Sequence, residues 1–400
     1  MYFLPEFGSA PILMNELATY LAERGHNTEV ITTIPRLDGN LKYKKRICIK
    51  ESNSGFRIKR YWTNMTSTPA GRFVAWNIYT FWTIFNVFNI RKGEILFLRL
   101  PPLQLGLTGF IAQKIKGAKA LLSVQDIHPD LAIESGILKN PLAMKLAKAL
   151  EKWVYKKSEE IVVISEGFKE NLLNKDVDPQ KLKVIPNWVD TDFLRPLPKD
   201  NPVAQEFSLA DKFVVMYSGT ITLSSYITLE RILEAASHLK NENDIVFAIV
   251  GEGMKKQNLK EKADQLGLQN VRFLPFQPYK DLPHLLASSD VLLVPLDKEK
   301  SDLSVPSKLY NFMAAGRPIL GLADRLSEVA RIINETNCGM SVNPEDGKGI
   351  AEAIETLKNS KSRCAELGAY GRKYAVENFA KDKVLKMYED AMSSLRKKIL

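Results

Sequence analysis

A chain of 400 residues exceeds what one hydrophobic core organises, about 250–300 residues, so two domains are expected. A charged fraction of 26% with 9% aromatics excludes a disordered chain, and three scattered cysteines (Cys48, Cys338, Cys364) with only four histidines exclude a disulfide framework and paired zinc-ligand spacing, as suits a reducing cytoplasm. The net charge is +10, and residues 1–190 carry 27 basic against 18 acidic side chains, so the excess sits in the N-terminal half. A polyanionic partner, nucleic acid or an anionic membrane surface, would account for it, as would a lysine-rich composition.

The opening residues MYFLPEFGSAP lack the basic and apolar regions of a signal peptide. Only Met1–Leu4 precede the loop Pro5–Pro11 and the helical pattern Ile12–Arg24, so the first strand is very short or the start lies upstream. Strands are predicted at Thr28–Thr33, Ile95–Leu100, Ala120–Val124 and Ile161–Ile164, with helical stretches between them. Residues 185–205, broken by four prolines, read as an interdomain linker. Alternation then restarts: strand Phe213–Tyr217, helix Leu229–Leu239, strand Ile245–Val250, helix Lys255–Leu266, strand Val271–Leu274, helix Leu282–Ala287 and strand Val291–Pro295. Strands alternating with helices imply parallel sheets, because a tight turn cannot join parallel neighbours, so the fold class is α/β with two doubly wound domains in tandem. Ligands of such sheets sit beyond the carboxyl ends of the strands.

Two N-terminal segments have membrane character. Phe73–Ile90 is uncharged and rich in Trp, Phe and Tyr, but it is short of the ~20 apolar residues of a span and carries three asparagines, so it reads as partly core and partly interfacial. In 141–157, Lys145, Lys148, Lys152 and Lys156 recur on one helical face, which suits either a solvated surface or an anionic membrane.

Three stretches carry candidate chemistry. In FAIVGEGMKK, Gly251-Glu252-Gly253 follows a buried strand and leads into a helix, either as a phosphate-binding turn or as a tight turn and nothing more. In VPSKLYNFMAAG, Pro306 suits a first helical turn, Ser304 or Ser307 is placed to cap it, and Lys308 falls where backbone N–H groups and an ammonium converge on an anion. In VQDIHPD, the polar groups Gln125, Asp126, His128 and Asp130 stand at a strand end, where a carboxylate serves as a general base or as a helix cap.

Taken in order, PEFGSAP with Leu21–His26, Leu100–Leu103, QDIHPD, Val162–Phe168, VIPNWVDT, VGEG, NVRFLPFQP, VPSKLYNFMAAGRPIL, CGMSVNPED and the late Gly368–Arg372 cover nearly the whole chain. This ordered set resembles the retaining glycosyltransferases of family 4, close to the branch that builds O-antigen and colanic-acid repeat units. The resemblance implies the GT-B fold: two Rossmann-like doubly wound domains facing across a cleft. Residues 1–190 would bind the acceptor and face the membrane, 206–380 would bind the nucleotide sugar, and 381–400 would form a helix crossing back to the first domain. It further implies transfer from a UDP-sugar, such as an N-acetylated deoxyhexosamine, to a polyprenyl-diphosphate-linked saccharide, with retention and without metal or cofactor, peripherally on the inner face of the cytoplasmic membrane.

By the same resemblance Lys308, Ser307 and Gly219 would hold the diphosphate, Phe276 and Gln277 the base, and Asn311 with the Gly251-Glu252-Gly253 turn the ribose. Gly8 would close the first loop on the diphosphate, and Asp126 and His128 would act on the acceptor side. The chain departs from the family at several points. Two glutamates eight apart are replaced by Leu303 and Asn311, the Ser218–Glu230 stretch lacks the usual Arg and Lys, and Gln125 stands where relatives have a histidine. Alternatives are a UDP-sugar 2-epimerase of the same fold and a non-catalytic membrane-associated assembly partner. Nucleic acid is disfavoured, because the basic residues follow no recognised binding motif.

Overall fold

The structure is a computed structural model that describes residues 1–6, 8–35, 46–64, 68–221, 223–296 and 303–397. The chain divides into two compact units, Met1–Asn187 with Asp382–Leu400, and Trp188–Lys381.

In the first unit, β1 (Glu29–Thr33), β2 (Cys48–Asn53) and β3 (Phe56–Tyr61) form a three-stranded sheet in the order β1-β3-β2. β1 runs parallel to β3, and β2 and β3 form an antiparallel hairpin. The hairpin was not read from the sequence. Its signal was Ser54-Gly55, both at positive φ (44° and 83°) as a two-residue hairpin loop requires. Met1 to Leu4 form no strand, although the Met1 carbonyl accepts from the Thr33 N–H at 3.2 Å.

A second sheet of this unit, β4 (Ile95–Leu100), β5 (Lys119–Val124), β6 (Glu160–Val163) and β7 (Leu182–Val184), is parallel throughout in the order β4-β5-β6-β7. Near-continuous burial along β5 and β6 explains why their sequences read as unbroken apolar runs. The last helix, Lys381–Lys397, packs onto this unit from Asp382 onward. Tyr388 is buried edge-on to Phe97, and the Glu389 carboxylate accepts from Tyr20 Oη, Arg24 Nε and His26 Nε2 at 3.2, 2.8 and 2.9 Å.

The aromatic segment forms the helix Pro69–Val87, begun by Pro69 and by Thr68, whose hydroxyl accepts from the Gly71 N–H at 3.2 Å. Ala75, Tyr79, Thr83 and Val87 face inward, while Phe73, Phe81, Phe85 and the following Phe88 remain more than half exposed at 56%, 60%, 52% and 62%. Steps of eight, four and three residues place these phenylalanines on one face. No described helix is long and apolar enough to cross a membrane.

The second unit holds one parallel six-stranded sheet: β8 (Phe213–Ser218), β9 (Ile245–Val250), β10 (Val271–Leu274), β11 (Val291–Pro295), β12 (Ile319–Leu322) and β13 (Gly339–Val342). Its order is β10-β9-β8-β11-β12-β13, so the first three strands step one way from β8 and the last three step the other. The reversal between β8 and β11 is the topological switch point at which doubly wound sheets bind nucleotides. Residues from 188 onward, read as part of a linker, are largely packed: Trp188, Val189, Leu194, Val203 and Ala204 are buried. Prolines broke the periodicity there without freeing the chain, because these apolar side chains anchor it.

Candidate functional site

At the switch point, β8 ends at Ser218 and the chain turns at Gly219. A Cβ on Gly219 would lie 2.9 Å from Lys308 Nζ and 3.2 Å from Tyr217 Oη, so only glycine leaves room for both. The exit of β9 lies directly against this turn. Cβ atoms on Gly251 and Gly253 would sit 2.0 Å from Gly219 O and 2.2 Å from Ile221 O, and the Ile221 N–H donates to Glu252 O at 2.9 Å. The two glycines therefore serve backbone-to-backbone contact between the two exits. Their neighbour Glu252 is occupied by Lys256 at 2.6 Å.

Lys308 opens the helix Lys308–Ala315. Ser307 occupies the N-cap position but makes no side-chain cap bond, contrary to the expected cap, because its φ and ψ (−59°, −22°) are already helical and a capping hydroxyl needs extended backbone. Amide groups of the first turn are thus left without that cap, and they point the positive end of the helix dipole outward. The Lys308 ammonium stands 4.3 Å from the centre of the Tyr217 ring and meets no carboxylate or carbonyl among the described residues. Burial lowers its pKa from 10.5 to about 8.

The other end of this helix is firmly held. Gly316 closes it at φ 68°, and a Cβ on Gly368 would lie 2.2 Å from Gly316 O. Arg372 Nη1 donates to Ala314 O at 3.0 Å and Leu194 O at 2.8 Å, while Nη2 donates to Thr191 O at 2.9 Å. The late Gly368–Arg372 motif therefore anchors the carbonyl end of the helix that carries Lys308.

The structure brings Lys308, Ser307, Gly219 and the Gly251–Gly253 turn to the strand ends beside the switch point. Asn311 is half-buried one turn further along the same helix, and Leu303 is buried, which makes the replaced glutamate position apolar. Phe276 and Gln277 lie past β10, two strands away from β8. Phe276 is exposed, Gln277 Nε2 donates to Pro275 O at 3.2 Å, and no described contact ties either to Lys308.

In the first unit, Gln125 follows β5, donating to Ser123 Oγ at 2.9 Å and accepting from Arg99 Nη2 at 3.3 Å. Burial lowers the pKa of Arg99, and the negative charge of Asp126 opposes this. Arg99 Nε is buried without a hydrogen-bond partner. His128 packs edge-on to Trp76, and burial pushes its pKa below the usual 6.5 against the pull of Asp126, so the ring is neutral at pH 7. Asp130 is tied to Lys175 at 2.6 Å, and Lys175 also holds Glu151 at 2.6 Å, which makes Asp130 part of the scaffold. Gly8, at φ 125°, precedes the helix Ser9–Glu23 in this same unit.

Arg99 and Tyr217 were missed by the sequence reading. A charge inside the apolar run ILFLRL was a usable signal for Arg99, since a buried arginine requires a reason. Nothing in VVMYS marks Tyr217 apart from ordinary core. No group of three or more described His, Cys, Asp or Glu residues is placed to hold a metal ion.

Two Rossmann-like units and a polar set at the switch point of the second unit define a GT-B glycosyltransferase, and comparisons with known proteins agree. Residues 200–374 match the family model described as glycosyl transferases group 1, and residues 11–188 match a glycosyl transferase 4-like domain. The chain belongs to these family 4-type glycosyltransferases, near the O-antigen and colanic-acid branch. It is 27% identical over 421 residues, covering 96% of each chain, to the putative colanic acid biosynthesis glycosyl transferase WcaI of Escherichia coli K12. It is 29% identical over 292 residues, 72% of each, to the probable glycosyltransferase WbjE of Pseudomonas aeruginosa. Among solved structures, Anabaena HepE in complex with UDP superposes with a TM-score of 0.72 at 15% identity, covering 98% of both chains.

The crowding at Gly219 gives a direct test of the site. Gly219→Ala is expected to displace the Lys308 ammonium and weaken UDP binding by about tenfold or more, a loss of ~1.4 kcal/mol, with an unchanged circular dichroism spectrum. Calorimetric titration checks it.

Proposed function

We propose that the protein transfers a sugar from a UDP-sugar, with retention, to a polyprenyl-diphosphate-linked saccharide at an anionic membrane surface. The observation that carries this reading is the Lys308 ammonium, held without an anionic partner among the described residues at the uncapped start of a helix beside the switch point. As the bond between the anomeric carbon and the diphosphate oxygen breaks, its electron pair passes to that oxygen. Lys308 and the first-turn amides stabilise the charge that develops there. The acceptor oxygen forms the new bond to the anomeric carbon, and Asp126 takes the hydroxyl proton. His128, neutral at pH 7, accepts or donates a hydrogen bond to the acceptor. Asn311 is the ribose contact, and Phe276 and Gln277 offer an exposed ring and an amide to the base. On this reading the first unit serves the acceptor, the second the donor.

The membrane part is supported by two surfaces of the first unit. One is the phenylalanine face of Pro69–Val87. The other is the helix Pro141–Lys157, with exposed Leu142 and Leu146 beside its lysines and a cavity of about 520 Å³ lined in part by Lys148, Lys152, Lys156 and Lys181. Phe81→Ser with Phe85→Ser is expected to reduce co-sedimentation with phosphatidylglycerol vesicles by more than tenfold, since each buried ring contributes ~1.5–3 kcal/mol. Vesicle binding should also fall with salt.

Incubation of the enzyme with UDP-sugars tests the reaction. UDP release only when a lipid-linked saccharide is present, and an Asp126→Asn variant slowed about a hundredfold or more, are expected. An epimerised UDP-sugar formed without acceptor would instead establish the 2-epimerase, and absence of any UDP binding would leave only an assembly role.

A further inference from the structure

A desolvated ammonium needs compensation, and the usual source is a carboxylate. A carboxylate would neutralise Lys308 and compete with a diphosphate for its three N–H donors. Around Lys308 the described structure supplies an aromatic face instead, with Nζ 4.3 Å from the Tyr217 ring centre. A ring face attracts a cation through its quadrupole, leaves the charge intact and accepts no strong hydrogen bond.

Tyr217 is itself immobilised. Its side chain is 1% exposed within the core that includes Val215, Ile249 and Leu293, and its hydroxyl donates to Thr220 O at 2.9 Å. The backbone of Gly219 passes so close that a Cβ there would touch both the hydroxyl and the ammonium. Tyr217 lies 91 positions before Lys308 in the chain, and the β8 exit brings the two together at the switch point.

We propose that Tyr217 is a positioning residue for the donor: its ring carries the Lys308 ammonium and aims it, still charged, at the diphosphate. This rests on the reading of Lys308 as the diphosphate ligand. Tyr217 touches no reacting atom and acts only through the lysine. The lowered Lys308 pKa is consistent with it, since a carboxylate neighbour would have raised that value.

The test replaces residue 217 by phenylalanine and by its 3,5-difluoro and 3,4,5-trifluoro analogues, which keep the ring's shape while draining its face of negative potential. UDP affinity is measured by calorimetry between pH 6 and 9, with circular dichroism as the folding control. Affinity is expected to fall stepwise along the series, on the order of tenfold in all. The pH above which affinity declines should move downward, a change that a merely structural role would not produce. In a Lys308→Met background the series should be flat. In lysine-labelled wild-type protein one side-chain CH2 resonance, lost in Lys308→Met, should be shifted upfield by the ring, and this reading needs no variant at position 217 to fold. Lys308-dependent UDP binding with equal affinity across the series, or no shifted resonance, overturns the role of Tyr217 alone. UDP binding that does not depend on Lys308 overturns the diphosphate reading and this inference with it.

Discussion

Lys308→Met is expected to make the ligand-free protein more heat-stable at pH 7 and to abolish its response to UDP. Burial holds the folded-state pKa near 8, below the ordinary 10.5, so between these values the unfolded chain binds more protons than the folded one. Stability therefore rises with pH through that window. Below about pH 8 the charged lysine costs the folded state about 3 kcal/mol, less whatever the Tyr217 ring returns. Methionine removes the cost, and the melting temperature should rise by several degrees at pH 7, with the advantage fading by pH 10. Added UDP should raise the melting temperature of the wild type only. Turnover should drop by about 10²–10³, as expected on losing one stabiliser of developing charge. A variant less stable than wild type at pH 7 without ligand would show that Lys308 is no strained cation.

Arg372→Met should have the largest effect on stability, a loss of about 3–5 kcal/mol in the second unit. The guanidinium serves three carbonyls, of Thr191, Leu194 and Ala314, and burial already lowers its pKa. Without it those oxygens are left unpaired at the end of the Lys308 helix. Lysine cannot span the same fork, so Arg372→Lys should recover little. Pulse proteolysis in urea, following cleavage within 188–381, measures the change. A loss under about 1 kcal/mol would mean that the packing of Gly368 on Gly316 holds the helix end by itself.

The parallel strands were legible because burial on both faces writes unbroken apolar runs, as in IVFAIV of β9. The hairpin of β2 and β3 was not. CIKESN is largely solvated, and FRIKRY alternates with charges, so neither presents a clean apolar face. At the site, Lys308 was legible because Pro-Ser-Lys announces a helix start. Its partner Tyr217 was not, because their meeting depends on strand order and not on spacing. Gly251 and Gly253 were noticed as a turn that needs glycine, and strand order adds that the backbone of residues 219–221 lies where their side chains would be. Ser307 shows the converse: its residue type suits a cap, and its local dihedral angles deny it.

The division of the chain also affects its synthesis. Because residues 382–400 complete the first unit while 188–381 form the second, the second is an insertion within the first. A ribosome finishes the contiguous inserted body before it delivers the segment bearing Tyr388 and Glu389, so the earlier-made portion waits, unsealed, for nearly two hundred codons. Nascent chains arrested near codon 381 should therefore yield a protease-resistant later body beside an earlier portion that is readily cut.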